Sequence, residues 1–346
     1  MADRARRARS ARRWRRPGRP VRATTWGGVS DSDAADLIAR DAAPKPKVGR
    51  RWKALIGLAS IGGLAVAAFS TVDDAREQAL PGPVPVGAAL VLQFAAMVLA
   101  ARGWVSLFPD GADRQALTRG LYTSQLTKYL PAGGFLQAAS QVALSSEQSG
   151  IGAAALRLPV FSLCSVVAAA TVGSALAVAG DLAPWARLVA ALALSLLLLL
   201  HRRVLAATLN LVRRAIRRLP PPERLPDQAA ILRCYGNVLA NQIAYAAAFV
   251  VLLGDLADVD ALGAAAAFSA GWAIGYLVLP LPSGVLVREG VLIATLPGLA
   301  TGSLLAASVA HRLTGFVAEA ALAGRAQLPL RRRRGVPAAR TNTEPS

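Results

Sequence analysis

Long apolar stretches that are almost free of charge dominate this chain of 346 residues. Apolar residues make up 54% of it and charged residues only 17%, below the roughly 25% that is usual in soluble domains. A run of about 20 apolar residues has the length that crosses a hydrocarbon core of about 30 Å. A soluble α/β enzyme would instead alternate short strands with amphipathic helices. We therefore predict an all-α, polytopic bundle of transmembrane helices.

Eight apolar segments are predicted to span the membrane. They cover residues 53–71, 85–108, 152–179, 184–201, 230–253, 261–280, 284–299 and 302–323. Together they form a membrane domain over 51–325, which lies between a disordered Arg-rich tail at 1–50 and a basic tail at 326–346.

Basic residues gather at the ends of the predicted spans and give the chain a net charge of +19. Sixteen of the 39 Lys and Arg residues lie in 1–53, seven in 202–224 and six in 325–340. Because Lys and Arg beside spans hold loops in the cytoplasm, this placement needs no nucleic-acid partner. Both termini are expected in the cytoplasm, and contact with anionic lipid headgroups is a secondary role of the same residues.

The segment 115–140 is predicted not to cross the membrane. Tyr122 and Tyr129 follow a helical spacing among polar residues, ahead of a Pro-Ala-Gly-Gly break. Such an amphipathic helix suits an interfacial or re-entrant element. Keeping this segment on one side places the acidic loop 255–260 outside and the basic loops inside. Crossing of the membrane by 284–299 then returns the C-terminal arginines to the cytoplasm. If 284–299 were re-entrant, the same count would place the C-terminal arginines outside.

Two apolar stretches break at nearly the same short phrase. Residues 128–134 read Lys-Tyr-Leu-Pro-Ala-Gly-Gly, and residues 282–289 read Pro-Ser-Gly-Val-Leu-Val-Arg-Glu. Broken backbone at membrane depth is tolerated only where protein or water satisfies its polar groups. Paired Pro/Gly interruptions in the two halves of a membrane protein therefore indicate a translocation site. Aligning Pro131 with Pro282, 151 positions later, gives a weak internal echo.

Charge beside both breaks favours a site for a phosphate-bearing headgroup. A half-helix that starts after Pro131 or Pro282 would point free N–H groups and a positive dipole end at the break. Lys128 and Arg288 would add full positive charge, and Glu289 would pair with Arg288 or Arg312, or meet a cationic headgroup. The alternatives are that Lys128 snorkels to the membrane surface and that Arg288 and Glu289 form a purely structural ion pair.

At these phrases the chain resembles a known membrane family, the lysylphosphatidylglycerol synthase transmembrane region, also called the flippase-like domain. The stretch 121–134 is similar to the first signature of that family, and 282–289, read as Pro-x-Gly-x-x-x-Arg-Glu, to its second. Arg312-Leu313 is similar to a recurrent Arg-Leu near the start of the last span. The resemblance covers roughly residues 50–325.

The resemblance implies a bacterial inner-membrane protein that moves an anionic or aminoacylated phospholipid, or a related glycolipid, between leaflets. Ala132 and Leu286 stand where the family usually has glycine, so the approach of backbone to ligand is expected to differ there. The best-known members carry a soluble aminoacyl-transferase domain after the spans, whereas this chain ends soon after its last predicted span. We therefore expect a separate lipid-modifying enzyme as a partner and no lipid synthesis by the chain itself.

The residues predicted to bind the substrate lie at the two breaks and on the last predicted span. On that span Glu319 follows Arg312 by seven positions, which places both on one helix face. The full predicted set is Lys128, Tyr129, Pro131, Gly133, Gly134, Pro282, Gly284, Arg288, Glu289, Arg312 and Glu319. Neighbouring His311 is predicted to serve helix packing or to lie exposed at the interface.

Enzyme motifs are missing from the sequence. It contains no Gly-x-x-x-x-Gly-Lys-Ser/Thr loop, no His-Glu-x-x-His and no Gly-x-Ser-x-Gly. Its two histidines cannot form a three-histidine zinc site, and Cys164 and Cys234 are predicted to be small buried residues. We expect no catalysis, no cofactor and no metal. Two alternatives to transport stay open: a membrane-embedded component of lipid-linked sugar or cell-envelope glycolipid synthesis, and a membrane scaffold.

Overall fold

The computed structural model describes residues 80–129, 133–179, 194–215, 225–277 and 287–327. All regular structure in these ranges is helical, which confirms the all-α class for the described part of the chain. The helices are α1 (Pro83–Ser106), α2 (Arg114–Leu126), α3 (Gly133–Ser149), α4 (Ile151–Ala179), α5 (Arg202–Ala215), α6 (Gln228–Gly254), α7 (Ala261–Leu277), α8 (Val287–Thr295) and α9 (Thr301–Gln327). Short 3-10 helices cover Thr127–Tyr129 and Ser195–Leu200. The predicted span 53–71, most of 184–201, the predicted N-terminal tail and residues 328–346 of the predicted C-terminal tail lie outside the described residues.

Three helices, α1, α4 and α6, are long and apolar enough to cross a membrane. They correspond to the predicted spans at 85–108, 152–179 and 230–253, and they identify the chain as a membrane protein. The predicted count of eight spans is not confirmed. In the described residues α7 is a shorter apolar helix, and α9 carries charged residues along its length.

The segment 284–299 does not form the spanning helix that was predicted. Its helix, α8, has nine residues, so it is about 14 Å long, half the thickness of a hydrocarbon core. The chain leaves the helix after Thr295 because Pro297 and Gly298 follow: a proline excludes the helical conformation from the residue before it. By itself α8 is therefore too short to cross.

The helices α2 and α3 form an antiparallel pair, here called the first hairpin. Near its open end the Asp113 backbone N–H donates to the Gln148 side chain at 3.0 Å. Near its tip the hydroxyls of Thr127 and Ser140 lie 3.4 Å apart. The chain therefore turns back within this segment, as expected of residues 115–140 if they do not cross.

The helices α7 and α8 form a second antiparallel pair, here called the second hairpin. A Cβ placed on Gly271 would lie 3.1 Å from Cγ of Arg288 and 3.2 Å from its carbonyl oxygen, so glycine permits this close approach. The Arg288 guanidinium carbon lies 5.3 Å from the centre of the Phe268 ring. Residues 278–286, which connect the two arms and contain the second predicted break, are outside the described part of the chain.

The helices α1 and α6 run antiparallel and contact each other along their length. The backbone N–H of Gly82, ahead of α1, donates to the Asp255 carboxylate, just after α6, at 2.7 Å. Halfway along, the Asn241 amide donates to the Ala96 carbonyl at 2.8 Å. Polar side chains inside these spans thus serve helix packing, because no water is available there to satisfy them.

The two ends of the bundle carry opposite charge. At one end, the acidic end, lie Asp255, Asp258 and Asp260. At the other, the basic end, the Arg157 guanidinium donates to the Leu107 carbonyl at 2.8 Å, after α1. The basic helix α5 also begins there, since the N–H of its first residue donates to Gln228 at the start of α6. The remaining described arginines of this end are Arg102, Arg114, Arg119, Arg203, Arg214, Arg233 and Arg325.

The first hairpin enters the bundle from the basic end and the second from the acidic end. The reason is the direction of the preceding helix: α1, which precedes α2, ends at the basic end, and α6, which precedes α7, ends at the acidic end. The second arm of the second hairpin returns to the acidic end, so α9 starts at that end and ends at the basic end. Although α8 does not span the bundle, α9 therefore ends at the basic end and not at the acidic end, as the count from sequence would have it for a re-entrant 284–299.

Helices α1–α4 and α6–α9 are related as inverted repeats. The first set begins at residues 83, 114, 133 and 151, and the second, 145 to 154 residues later, at 228, 261, 287 and 301. Helix α4 lies parallel to α6, with Tyr235 donating to Thr171 at 3.1 Å, and α9 lies parallel to α1, with Gln93 donating to the His311 carbonyl at 3.1 Å. Since α1 and α6 are antiparallel, α4 and α9 are antiparallel too.

The packing contacts follow the same relation. Helix α4 packs on α6 and α7, and its counterpart α9 packs on α1 and α2. The contacts of α2 with α3, of α3 with α4 and of α1 with α2 have counterparts in α7 with α8, α8 with α9 and α6 with α7. The α1–α6 contact lies at the centre and is its own counterpart. This arrangement matches the inverted-topology repeats of many membrane transporters.

Candidate functional site

Helix α9 carries a row of buried polar side chains between the two hairpins. Ser308, His311, Thr314 and Glu319 are at most 6% exposed, although they lie in a helix of a largely apolar bundle. A charge at the centre of a bilayer costs about 2.5–3.5 kcal/mol on insertion scales, so such groups need partners. Glu319 and His311 find partners in the 3-10 helix after α2 and in α6, whereas Thr314 bonds to carbonyls of its own helix.

The first cluster surrounds Glu319, which is 1% exposed. Lys128 Nζ lies 2.5 Å from one carboxylate oxygen, and the Tyr129 hydroxyl donates to the other at 3.0 Å. The Tyr245 hydroxyl, from α6, approaches the first oxygen at 3.5 Å. The side chain of Lys128 is only one-fifth exposed. Lys128 is therefore part of a buried ion pair and does not snorkel.

The local structure of the first hairpin directs these groups toward α9. After α2 the chain tightens into the 3-10 turn Thr127–Tyr129, which turns Lys128 and Tyr129 to the same neighbour. The Tyr129 ring packs edge-on against Phe316, with ring centres 5.0 Å apart. Since the predicted break begins directly after Tyr129, this contact fixes the tip of the hairpin against α9.

The second cluster joins α8 to α9. Arg312 donates to Glu289 at 2.7 Å, while a terminal nitrogen of Arg288 lies 3.5 Å from the same carboxylate oxygen. The three side chains are 27%, 10% and 12% exposed for Arg312, Arg288 and Glu289. Glu289 therefore pairs with both arginines, and the stronger contact is the one to Arg312.

His311 and Tyr245 connect the two clusters. The His311 ring is 2% exposed, and its Nε2 lies 3.1 Å from the Tyr245 carbonyl oxygen. It packs edge-on against Phe268 and Tyr245, with ring centres 4.8 and 5.4 Å apart. His311 thus serves helix packing, as one of the two sequence alternatives held. At 1.5 Å per residue, the seven positions from Arg312 to Glu319 separate the clusters by about 10 Å.

Six of the predicted site residues are brought together in these two clusters, and Glu289 contacts both of its candidate partners, Arg288 and Arg312. Glu319 pairs with Lys128 and Arg312 pairs with Glu289, so the two α9 residues do not pair with each other. Gly133 begins α3, and Gly134 is exposed with no other atom within 4 Å of a Cβ placed on it. The other predicted site residues, Pro131, Pro282 and Gly284, lie outside the described residues.

Sequence reasoning missed three residues that contribute to the site and its packing. Tyr245 lies in an apolar span and offers no sequence signal beyond one hydroxyl. Gln93, fully buried in the middle of α1, is a lone polar residue in an apolar run, which could have marked it as an interior contact. Gly271 could have been recognised only through its counterpart, since Gly120 packs against Leu144 in the first hairpin as Gly271 packs against Arg288 in the second.

The described members of the two clusters carry an excess of positive charge. Three cations, Lys128, Arg288 and Arg312, face two carboxylates, Glu289 and Glu319, which leaves one positive charge at neutral pH. Within the described ranges no group of three or more His, Cys, Asp or Glu residues is placed to hold a metal ion. The arrangement can thus attract an anion without a metal.

No protein-family model matches the chain, and no curated protein matches it significantly. The fold and the site together define a helical membrane protein with inverted repeats and a buried, charged row between two hairpins.

Proposed function

We propose that the protein is a flippase-like transporter of the bacterial inner membrane, which moves a phospholipid or a related glycolipid between leaflets. The phospholipid would be anionic or aminoacylated. One observation carries the proposal: two hairpins that enter from opposite ends of the bundle pair with charged side chains of the same helix, the first hairpin with Glu319 and the second with Arg312 of α9.

The chemistry of lipid translocation explains why such a row would be retained. The polar headgroup is the part of a lipid that cannot cross hydrocarbon, whereas its acyl chains can stay in the bilayer. Buried ion pairs cost more to form than equally packed apolar residues, so their presence calls for a role beyond stability. A track of groups that exchange partners with a headgroup, from Glu319 near the basic end to Arg312 halfway along α9, would supply that role.

The charge of the two ends supports an orientation with the basic end in the cytoplasm. The first hairpin would then open toward the cytoplasmic leaflet and the second toward the outer leaflet. In this orientation α9 ends on the cytoplasmic side. The resemblance to the flippase-like domain also supports the proposal, because the charged residues of its two signatures, Lys128, Arg288 and Glu289, are members of the two clusters.

Lipid movement in reconstituted vesicles tests the proposal. Vesicles that contain the full chain and a fluorescently labelled lipid are treated with a membrane-impermeant quencher, and the rate at which inner-leaflet label becomes accessible is measured. Labelled phosphatidylglycerol, lysylated phosphatidylglycerol, phosphatidylcholine and a glycolipid are compared. We expect at least one to move faster than in empty vesicles.

Two variants connect the activity to the site. Arg312→Gln should slow translocation, since it removes the partner of Glu289, whereas Arg233→Gln, on the exposed face of α6, should leave the rate unchanged. Rates equal to those of empty vesicles for every lipid would contradict the proposal. They would favour a scaffold or a component of envelope glycolipid synthesis instead.

A further inference from the structure

We propose that Arg288, at the start of α8, binds one oxyanion of the phosphate class. The inference rests in part on the proposed function, because it names the chemical group that the transport site would recognise. It also stands on its own as a binding site, whether or not the protein moves lipids.

Two of the three side-chain nitrogens of Arg288 lack a hydrogen-bond partner among the described residues. The residue is 8% exposed, and its Nε and one terminal nitrogen make no hydrogen bond within the described part of the chain. That terminal nitrogen lies 3.5 Å from Glu289, an ion-pair distance without the geometry of a hydrogen bond. A buried donor that lacks an acceptor carries its full desolvation cost, so a native structure seldom retains one without a use for it.

Neighbouring carboxylates do not neutralise Arg288 fully. Glu289 is held by Arg312 at 2.7 Å, and the single carboxylate serves two guanidinium groups. Glu319 belongs to the other cluster, where Lys128 is its counter-ion. Among the described members of the two clusters, the excess positive charge is therefore located at Arg288 and Arg312.

The packing around Arg288 holds its guanidinium group in place. The close approach of α7 at Gly271 holds the Arg288 stem, while the Phe268 ring lies against its guanidinium group. A planar guanidinium group matches the oxygens of a phosphate, which it can bind in a bidentate manner.

The first hairpin does not offer an equivalent site. Its described cation, Lys128, forms an ion pair with Glu319. The Tyr129 and Tyr245 hydroxyls donate to the oxygens of the same carboxylate. The inverted repeats therefore carry unequal chemistry, with a closed ion pair at one tip and an open cationic group at the other.

Thermal unfolding of the full chain in detergent micelles tests the proposal. The probes are inorganic phosphate, dihexanoylphosphatidylglycerol, dihexanoylglycerol, which lacks phosphate, and chloride at matched ionic strength. We expect saturable stabilisation by a phosphate-bearing probe and none by dihexanoylglycerol or chloride. Stabilisation by both phosphate probes would indicate a general oxyanion site, and stabilisation by the lipid alone a headgroup site; both support the proposal. No stabilisation, or equal stabilisation by chloride or dihexanoylglycerol, would overturn it.

The variants Arg288→Gln and Arg288→Lys locate the site, with Arg233→Gln as the control that removes one exposed arginine. We expect the apparent affinity for the phosphate probe to fall about tenfold or more in Arg288→Gln, and to fall also in Arg288→Lys, which keeps the charge but loses the planar donors. The control should bind like the native chain. Unchanged affinity in either Arg288 variant would overturn the assignment, and Arg288→Lys decides the matter if Arg288→Gln does not fold. Binding without lipid movement would refute the proposed function and leave this site standing.

Discussion

At the scale of single residues, the protein places its charges where each can reach a partner on another helix. Glu319 illustrates this best, since a carboxylate that is 1% exposed receives a lysine and two tyrosine hydroxyls from two other helices. Such a group is stable only as long as the whole set is intact, because a buried charge without its partner is far more costly than the pair is favourable.

We predict that Glu319→Gln alone destabilises the protein more than a double change that removes both charges of the Lys128–Glu319 pair. The single change leaves Lys128 charged and largely buried, which should lower the free energy of unfolding by about 3 kcal/mol, the low end for a broken buried pair, because Lys128 is one-fifth exposed. Lys128→Met combined with Glu319→Gln should restore part of that loss. Equilibrium unfolding in detergent micelles measures both. A double variant less stable than the single one would mean that Lys128 has another acceptor.

The sequence identified the charged residues of the site but could not assign their partners. Lys128, Arg288 and Glu289 are noticeable because each is a charge beside a Pro/Gly break in an apolar chain. The pairing could not be derived, because spacing along one helix says which residues share a face and nothing about which helix that face meets. Tyr245 gave no signal at all, since an isolated tyrosine in an apolar span reads as ordinary packing.

At the scale of elements, the two hairpins differ from spans in the way they pack. Each has a glycine at which the second arm approaches closely: Gly120 against Leu144 and Gly271 against Arg288. Gly173 has a related role in α4, where an added Cβ would lie 3.3 Å from the backbone nitrogen of Ala270 in α7. A larger side chain at Gly173 would therefore disturb the packing of α4 on α7.

Gly271→Ala is predicted to impair the second hairpin. The added methyl group would meet the backbone of α8 at 3.2 Å and displace Arg288, so phosphate binding and transport should both weaken, by about tenfold if the arms separate. Gly290→Ala is the matched control, since nothing lies within 4 Å of a Cβ there and alanine favours a helix by roughly 0.5–1 kcal/mol over glycine. Binding and transport assays on both variants provide the comparison. Equal losses would show that the close approach at Gly271 is unimportant.

Labelling of single cysteines should verify the return of the first hairpin. We expect Asp110→Cys and Glu147→Cys, at its two ends, to react with an impermeant thiol reagent from the same side of sealed vesicles. Asp258→Cys, at the acidic end, should react from the other side. The native Cys164 and Cys234 are buried, so the unmodified chain serves as the blank. Reaction of positions 110 and 147 from opposite sides would mean that this segment crosses the membrane.

At the scale of the whole molecule, the inverted repeat explains both what the sequence revealed and what it concealed. Composition and the length of the apolar runs were sufficient to predict an all-α membrane protein and its three apolar spans, because these features depend on local hydrophobicity alone. The repeat left only faint traces, such as Pro131 and Pro282, or Gly120 and Gly271, each pair 151 positions apart.

A further trace of the repeat is a tyrosine near the tip of each hairpin. Tyr129 donates to Glu319 on α9, and Tyr276 donates to Ser162 on α4 at 2.8 Å. Helices α9 and α4 are counterparts in the inverted repeat, so each hairpin is held by a hydroxyl to the last helix of the opposite half. If the halves alternate in opening the site, these two contacts are the ones that must break in turn.

Reversible cross-linking at the two contacts tests this mechanism. We predict that Tyr129→Cys with Phe316→Cys, or Tyr276→Cys with Ser162→Cys, joined by a short bis-methanethiosulfonate reagent, slows lipid movement about tenfold or more, since the hairpin can no longer leave its neighbour. Reduction of the link should restore the rate. The control pair, Gly82→Cys with Asp255→Cys, joins α1 to α6 at the centre of the repeat and should leave transport unchanged. A control link that blocks equally well would mean that transport needs general flexibility of the bundle, and alternation of the two hairpins would have to be abandoned.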